Sequence, residues 1–387
     1  MRKTLGQKIK ELIASPLSFK YYNHAPDYIL IGTLALIVLF GLMMLSSASS
    51  VQAFQKFGDS YYFFKNQLLK GILPGLVAFY LASRFDYRGW KKYAFSLLIA
   101  SVVLLILVFI PGLGVSHNYS QSWLKIGPLG FQPSELVKLT FLIYLATWLE
   151  KRGERGLRDP QYGLLPFLFA MGVISFLILA QPDLGTLMIV IAMSLIVYFV
   201  AGAPKKFILG IITGGLLLAF VAIQVAPYRL DRFTAFFNPS ADPQGIGYHI
   251  SQAKLAVGSG GILGLGIGKS RQKFNYLPEV YGDSIFAVIA EEMGFIFSLI
   301  LVGLFLTLAI RGLKIARGVT DVYGQLLAAG ITGWFSFQAF INIGAMVGLL
   351  PLTGIPLPFV SYGGTAMTVS LLAAGILVNM SKQTKSA

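Results

Sequence analysis

No cysteine occurs in the 387 residues, so a disulfide framework, a thiolate nucleophile and a thiolate metal site are excluded, and the redox compartment stays open. Charge is nearly as scarce. Only 12% of the residues are charged, about half the share usual in a soluble domain, while 56% are hydrophobic and the mean hydropathy is +0.72. That balance excludes a water-soluble domain and describes an integral membrane protein. Acids are the rarer sign, 16 Asp and Glu against 31 Lys and Arg, for a net charge of +15. The histidines His24, His117 and His249 are too scattered to suggest a metal cluster or a catalytic triad, and each reads as structural or solvated.

What the chain does have is long apolar sequence, and about 20 such residues cross a bilayer as a helix. Hydropathy predicts an all-α fold of ten transmembrane helices at 28–47, 62–83, 93–111, 133–150, 163–180, 184–202, 206–226, 284–310, 323–349 and 361–380. No linker, repeat or low-complexity tract divides them, so 1–387 is expected to form one polytopic domain. Its accessory parts are an N-terminal segment 1–27, a long loop 227–283 between helices seven and eight, and a tail 381–387. The polar, basic lead-in precedes a full span rather than a short apolar core, unlike a cleavable signal. An even number of spans puts both ends on one side. Alternate connections then collect most of the 31 cations, Arg84, Arg88, Lys151, Arg152, Arg311 and Lys314 among them, and the positive-inside rule makes that face, with both termini, cytoplasmic. This topology, with attraction to anionic lipid heads, accounts for the +15 without nucleic acid.

Arg229, Arg232, Lys254, Lys269, Arg271 and Lys273 fall instead in the loop 227–283, on the predicted outer face. A basic loop there runs against the topological bias and points to an anionic ligand. Its "GLGIGKS" imitates a phosphate-binding loop, but the motif needs glycine where Leu263 stands, so no nucleotide site is expected. The glycines read as a re-entrant backbone able to approach a ligand closely, and residues 248–257 as a short amphipathic helix at the interface.

Polar islands interrupt the apolar runs. Glu135 and Lys138, three residues apart, share a helix face. They form either a self-neutralising pair or a site in which Lys138 faces a cavity as an anion ligand. Asp183 in "AQPDLGT" is either a helix cap or a site residue. "NYLPEVYGDSIFAVIAEEMGF" concentrates Glu279, Asp283, Glu291 and Glu292. Asp283 stands at the mouth of span eight, where capping alone would explain it. Glu291 and Glu292 lie about 12 Å deeper, at about 1.5 Å per residue, and need partners in the bundle rather than lipid. "GLLPLTGIPLPFVSYGG", with three prolines, reads as a cavity wall.

These islands carry a resemblance. Gln132-Pro133-Ser134-Glu135 with Lys138, Gln181-Pro182-Asp183-Leu184-Gly185-Thr186, Leu277-Pro278-Glu279 with Asp283, Glu291-Glu292 with Gly294, and Leu357-Pro358-Phe359 into Ser361-Tyr362-Gly363-Gly364 resemble, in order and over nearly the whole chain, the SEDS family of FtsW, RodA and their sporulation homologues. The resemblance implies the SEDS fold in the bacterial cytoplasmic membrane. It further implies a peptidoglycan glycosyltransferase that polymerises lipid II, the undecaprenyl-pyrophosphate-linked disaccharide peptide, at the outer face. Implied partners are a class B penicillin-binding transpeptidase and other divisome or elongasome membrane proteins. The family's essential aspartate maps onto Asp283. The "DSIFAVIAEE" stretch and Gln121-Ser122-Trp123 are closer to FtsW, hence septal synthesis, with a RodA-type role in elongation as the alternative. The chain departs where the family often has His-Thr-Asp and this one reads Tyr281-Gly282-Asp283, where a second acid is replaced by Asn275, and where an arginine is replaced by Ser122.

The expected chemistry is inverting: Asp283 takes the proton of an acceptor hydroxyl as general base. Lys138, Asp183, Arg229, Arg232, Lys273, Glu279 and Ser361 contact substrate, and Glu135, Glu291 and Glu292 serve as structural polar residues. A divalent cation, Mg or Mn, is the one cofactor envisaged. A transporter that flips lipid II is the rival reading, and it would place its acids near mid-bilayer with access from both faces.

Overall fold

The computed structural model describes residues 25–117, 120–126, 129–225, 234–239 and 245–384; the predicted Arg229, Arg232 and His24 lie outside them. Helix α1 (Tyr28–Phe57) starts at Asp27, whose carboxylate caps the Leu30 N–H at 3.0 Å, and stops at the left-handed Gly58. It outlasts the predicted span because backbone hydrogen bonding continues past Ser46, where the apolar run fades. α2 (Tyr62–Gln67) passes through a π-helical turn, Leu68–Ile72, into α3 (Leu73–Arg84). A 3₁₀ turn, Tyr87–Tyr93, leads to α4 (Ala94–Leu107). After a small sheet come α5 (Pro133–Leu157), α6 (Leu165–Ala180), α7 (Leu184–Val200) and α8 (Lys205–Val225). α9 (Ile246–Ser259) covers the predicted amphipathic segment, and α10 (Ile285–Gly318), α11 (Val322–Met346) and α12 (Gly364–Ser381) complete the bundle.

Helices thus stand at each of the ten predicted positions, and among the described residues six stretches are long and apolar enough to cross a membrane by themselves. Small residues set the helix spacing, as expected where lipid supplies no hydrophobic drive between helices. A Cβ on Gly75 of α3 would come 2.6 Å from the Leu371 side chain of α12, and one on Gly375 of α12 would come 2.5 Å from the Phe79 carbonyl of α3.

Two features correct the expectations. The fold is not helical throughout: β1 (Gly114–His117), β2 (Ser120–Ile126) and β3 (Leu129–Phe131) form an antiparallel sheet in the order β1-β2-β3, just before α5. The sequence hid it because a short meander of mixed polarity has neither the length nor the period of a span.

The second concerns the glycine loop. α10 breaks at Gly294 (φ 74°), and the backbone of residues 260–266 crosses the break. Leu265 and Gly266 donate to the carbonyls of Glu291 and Glu292 at 3.0 and 2.9 Å, while Phe295 and Ile296 donate to those of Gly261 and Ile262 at 2.9 and 3.3 Å. Those groups would otherwise be unpaired inside the bundle, a cost of several kcal/mol each in hydrocarbon. The glycines therefore approach a broken helix rather than a ligand.

Candidate active site

One end of the bundle holds a partly open cavity of about 410 Å³. Its wall comes from the start of α5 (Gln132, Glu135, Lys138), the turn into α7 (Asp183), α9 (His249), the segment before α10 (Glu279, Gly282, Asp283), Gln338 of α11, the turn 353–356 and the start of α12. Five expected site residues, Glu135, Lys138, Asp183, Glu279 and Asp283, meet there.

Glu135 and Lys138 form the self-neutralising pair of the first reading, and both line the cavity. Lys138 Nζ donates to Glu135 Oε1 at 2.9 Å and to Gln338 Oε1 at 3.2 Å, and it lies 4.8 Å from the centre of the Trp334 ring. Both residues are almost fully buried, and Glu135 Oε2 has no hydrogen-bond partner. Gln338 is itself tied down, accepting from Trp334 Nε1 at 2.7 Å and donating to the Pro356 carbonyl at 2.8 Å. Asp183 also holds two roles: Oδ1 caps α7 through the Thr186 N–H at 3.0 Å, while Oδ2 accepts from Gln132 Nε2 and Ser134 Oγ at 3.4 and 3.3 Å.

Asp283 directly precedes α10, whose N-cap residue is Ser284 and makes no side-chain cap hydrogen bond. Asn342 of α11 fixes the backbone there, donating to the Asp283 carbonyl at 2.7 Å and to the Ile355 carbonyl at 2.8 Å. Asp283 Oδ2 looks towards the turn at Gly354, 3.9 Å from where a Cβ would stand. Glu279 holds a left-handed backbone (φ 48°), and its carbonyl accepts from Gly282 and Ser284 at 2.8 and 3.2 Å, which curls the segment so that both acids face the cavity. Such a conformation costs a non-glycine residue about 1–2 kcal/mol, so its surroundings must hold it. Tyr281, between them, stacks on Phe63 at 4.2 Å and meets the Tyr362 ring edge-on at 5.9 Å. Burial, with help from Glu279 and Tyr362, pushes its phenol up to about 12, so the hydroxyl stays neutral.

Four expected residues lie elsewhere. Lys273 is not a substrate ligand in this arrangement: it is buried and its ammonium is taken by Glu292 at 2.9 Å. Glu292 also accepts from Ser47 Oγ at 2.6 Å and from the Ser270 N–H at 3.3 Å, and Glu291 accepts from the Arg271 and Gln272 N–H groups at 2.9 and 3.4 Å. The imitation phosphate loop thus cradles two carboxylates of its own chain. An exposed cation on a basic loop could not be told from one buried against an acid nineteen residues on. Ser361 likewise does not line the cavity; its hydroxyl accepts the Leu357 N–H at 2.8 Å and turns the proline-rich segment.

Gln338 and Asn342 are side chains that sequence reasoning passed over, each a buried polar residue of α11 whose only signal was the cost of burying it, while His249 of α9, read as structural or solvated, also lines the cavity. Among the described residues no three His, Asp or Glu side chains form a cage for a metal ion. The described residues therefore offer no ready donor set for a resident Mg or Mn.

Comparison with known proteins places this geometry. Residues 27–386 match the family described as a cell cycle protein that comprises FtsW, RodA and SpoVE. Stage V sporulation protein E of Bacillus subtilis (strain 168) is 42% identical over 93% of this chain and 98% of its own length. A probable peptidoglycan glycosyltransferase FtsW of Geobacter metallireducens is 38% identical over 93% and 95%. Among solved structures, a chain of a peptidoglycan synthase complex that coordinates polymerization and crosslinking matches with a TM-score of 0.77 at 29% identity, over 92% of this chain and 98% of that one. The rod shape determining protein RodA of Thermus thermophilus matches with a TM-score of 0.68 at 28% identity, over 94% and 99%.

Proposed function

Because the chain belongs to the FtsW, RodA and SpoVE family and is a multi-pass membrane protein, we propose that it is a peptidoglycan glycosyltransferase that polymerises lipid II, with Asp283 as general base. The observation that carries the reading is the convergence of Asp283, Glu279, Asp183 and the Glu135–Lys138 pair on one cavity. In the reaction the 4-hydroxyl of one lipid-linked sugar attacks the anomeric carbon of another. The new C–O bond forms as the bond to the undecaprenyl pyrophosphate breaks, the hydroxyl proton passes to Asp283, and the pyrophosphate departs as an anion. Direct displacement inverts the anomeric centre, as it does in sugar hydrolysis.

Four carboxylates against one ammonium, itself paired, make the described wall better suited to a hydroxyl-rich saccharide than to pyrophosphate. The acceptor sugar belongs here, and charge stabilisation of the leaving group falls to cations such as Arg229 and Arg232. Most of the lining residues sit at helix starts, in β2 and in loops of one end of the bundle, with Gln338 deeper in α11, a placement that favours a polymerase over a carrier with a mid-membrane site. The outer face and cytoplasmic termini follow from the distribution of cations. The likeness to FtsW relatives and to a synthase complex supports a septal role beside a class B transpeptidase, within the divisome.

A positioned carboxylate base is worth about 10² to 10⁴ in rate. Purified Asp283→Asn, shown to melt like wild type, is therefore expected to polymerise lipid II at least about 100-fold more slowly. Activity near wild type would remove the base role.

A further inference from the structure

We propose that His249 is a positioning residue that orients the Asp283 carboxylate through Ser284, an inference that rests on the reading of Asp283 as base. His249 Nε2 lies 2.6 Å from Ser284 Oγ, and the Ser284 hydroxyl reaches Asp283 Oδ1 at 3.4 Å. A hydroxyl carries a single hydrogen. An ionised carboxylate only accepts, so when Ser284 donates that hydrogen to Asp283 the imidazole donates its Nε2–H to Ser284 Oγ. The relay therefore uses the form of the ring that carries a proton at that nitrogen.

The parts of this relay are held from three directions. Ser284 is fully buried at the start of α10, where water cannot readily take its place. His249 rides on α9, whose Ile250, Ala253 and Ala256 are buried in the core. The helix is thus a fixed mount rather than a loose interfacial segment. Asn342 pins the Asp283 backbone from α11, so the relay acts on a carboxylate whose main chain is already fixed. The 3.4 Å contact is the long link, as is common before substrate binds, and a saccharide hydroxyl on the carboxylate would draw it in. His249 and Asp283 both line the cavity, so the relay ends where the acceptor sugar is proposed to sit.

The test measures lipid II polymerisation by the full chain carrying His249→Leu, His249→Gln, Ser284→Ala, or His249→Leu with Ser284→Ala. Leu fills the space of the ring without a donor, whereas Gln keeps an N–H. Losing one positioning hydrogen bond should lower kcat about 10-fold in His249→Leu and Ser284→Ala, with KM within about twofold of wild type. His249→Gln should recover most of the lost rate, and the paired variant should be no slower than either single one, because both break the same relay. Wild-type kcat in His249→Leu, equal losses in the Gln and Leu variants, or losses that multiply in the pair would overturn the proposal. If His249→Leu fails to melt cooperatively, Ser284→Thr decides instead: it keeps the hydroxyl and should outperform Ser284→Ala, and equal rates would sink the relay. Asp283→Asn in the same assay separates the two readings. Activity there removes the base itself, whereas an inactive Asn variant beside a fully active His249→Leu removes only the positioning role.

Discussion

At the scale of single residues, the buried pair at the cavity separates charge needed for folding from charge needed for chemistry. Lys138 and Glu135 neutralise each other within a low-dielectric wall, and Glu135 Oε2 already lacks a partner. Lys138→Met strands the carboxylate, and breaking a buried pair by removing one member costs about 3–5 kcal/mol. Replacing both, as Glu135→Gln with Lys138→Met, removes the charges together and should restore most of the lost thermal stability in detergent. If the ammonium also serves the reaction, polymerisation should stay low in the stable double variant; full activity there would reduce the pair to a structural one. The pairing was legible in the sequence, since three residues on a helix meet. That Gln338 and Trp334 complete it was not, because nothing in a linear pattern reports which face of a distant apolar helix turns inward. His249 read only as structural or solvated for the same reason: its partner Ser284 comes from another element.

At the scale of elements, hydropathy located the spans because apolar length is a local property, and it lost their ends because hydrogen bonding and caps, not hydropathy, stop a helix. α10 shows the limit most clearly. Gly294 breaks it, and the break is tolerable only because the 260–266 backbone supplies the missing donors and acceptors. The "GLGIGKS" motif looked like a ligand loop, and only the fold reveals that its ligands are the carbonyls and carboxylates of Glu291 and Glu292. Gly264 is the contact point: its φ is +80°, and an added Cβ would stand 2.2 Å from the Glu292 carbonyl oxygen. Gly264→Ala must carry both the left-handed penalty of about 1–2 kcal/mol and the displacement of that backbone. It should lower the melting temperature markedly. Gly258→Ala, inside α9 with open space around its Cβ and no positive φ, should be neutral or gain up to about 1 kcal/mol. Equal melting of the two variants would mean that the loop does not seal the helix break.

For the whole molecule, the end of the bundle opposite the cavity is closed by charge rather than by a loop. Asp321 caps α11 through the Gly324 N–H at 2.9 Å and receives the Tyr87 hydroxyl and the Arg88 guanidinium, whose other arm reaches Gln383 in the tail at 2.7 Å. The 3₁₀ turn before α4, the start of α11 and the segment after α12 thus converge on one carboxylate. Burial alone would raise the Asp321 carboxyl, but the hydrogen bonds from Tyr87 and Gly324 and the charge of Arg88 outweigh it and hold it below its ordinary 3.8. A depressed folded-state pKa contributes stability that is fully present above 3.8 and is lost as pH falls through the lower folded value. Protonation also removes a negative charge from a chain already at +15, which adds self-repulsion. The detergent-solubilised protein should therefore keep a level melting temperature down to about pH 4 and lose it below, where Asp321 takes up its proton. Asp321→Asn keeps a hydrogen-bonding side chain without the charge, so it should melt lower at neutral pH and lose less on acidification. Parallel acid curves for the two proteins would show that this carboxylate does not govern the closure.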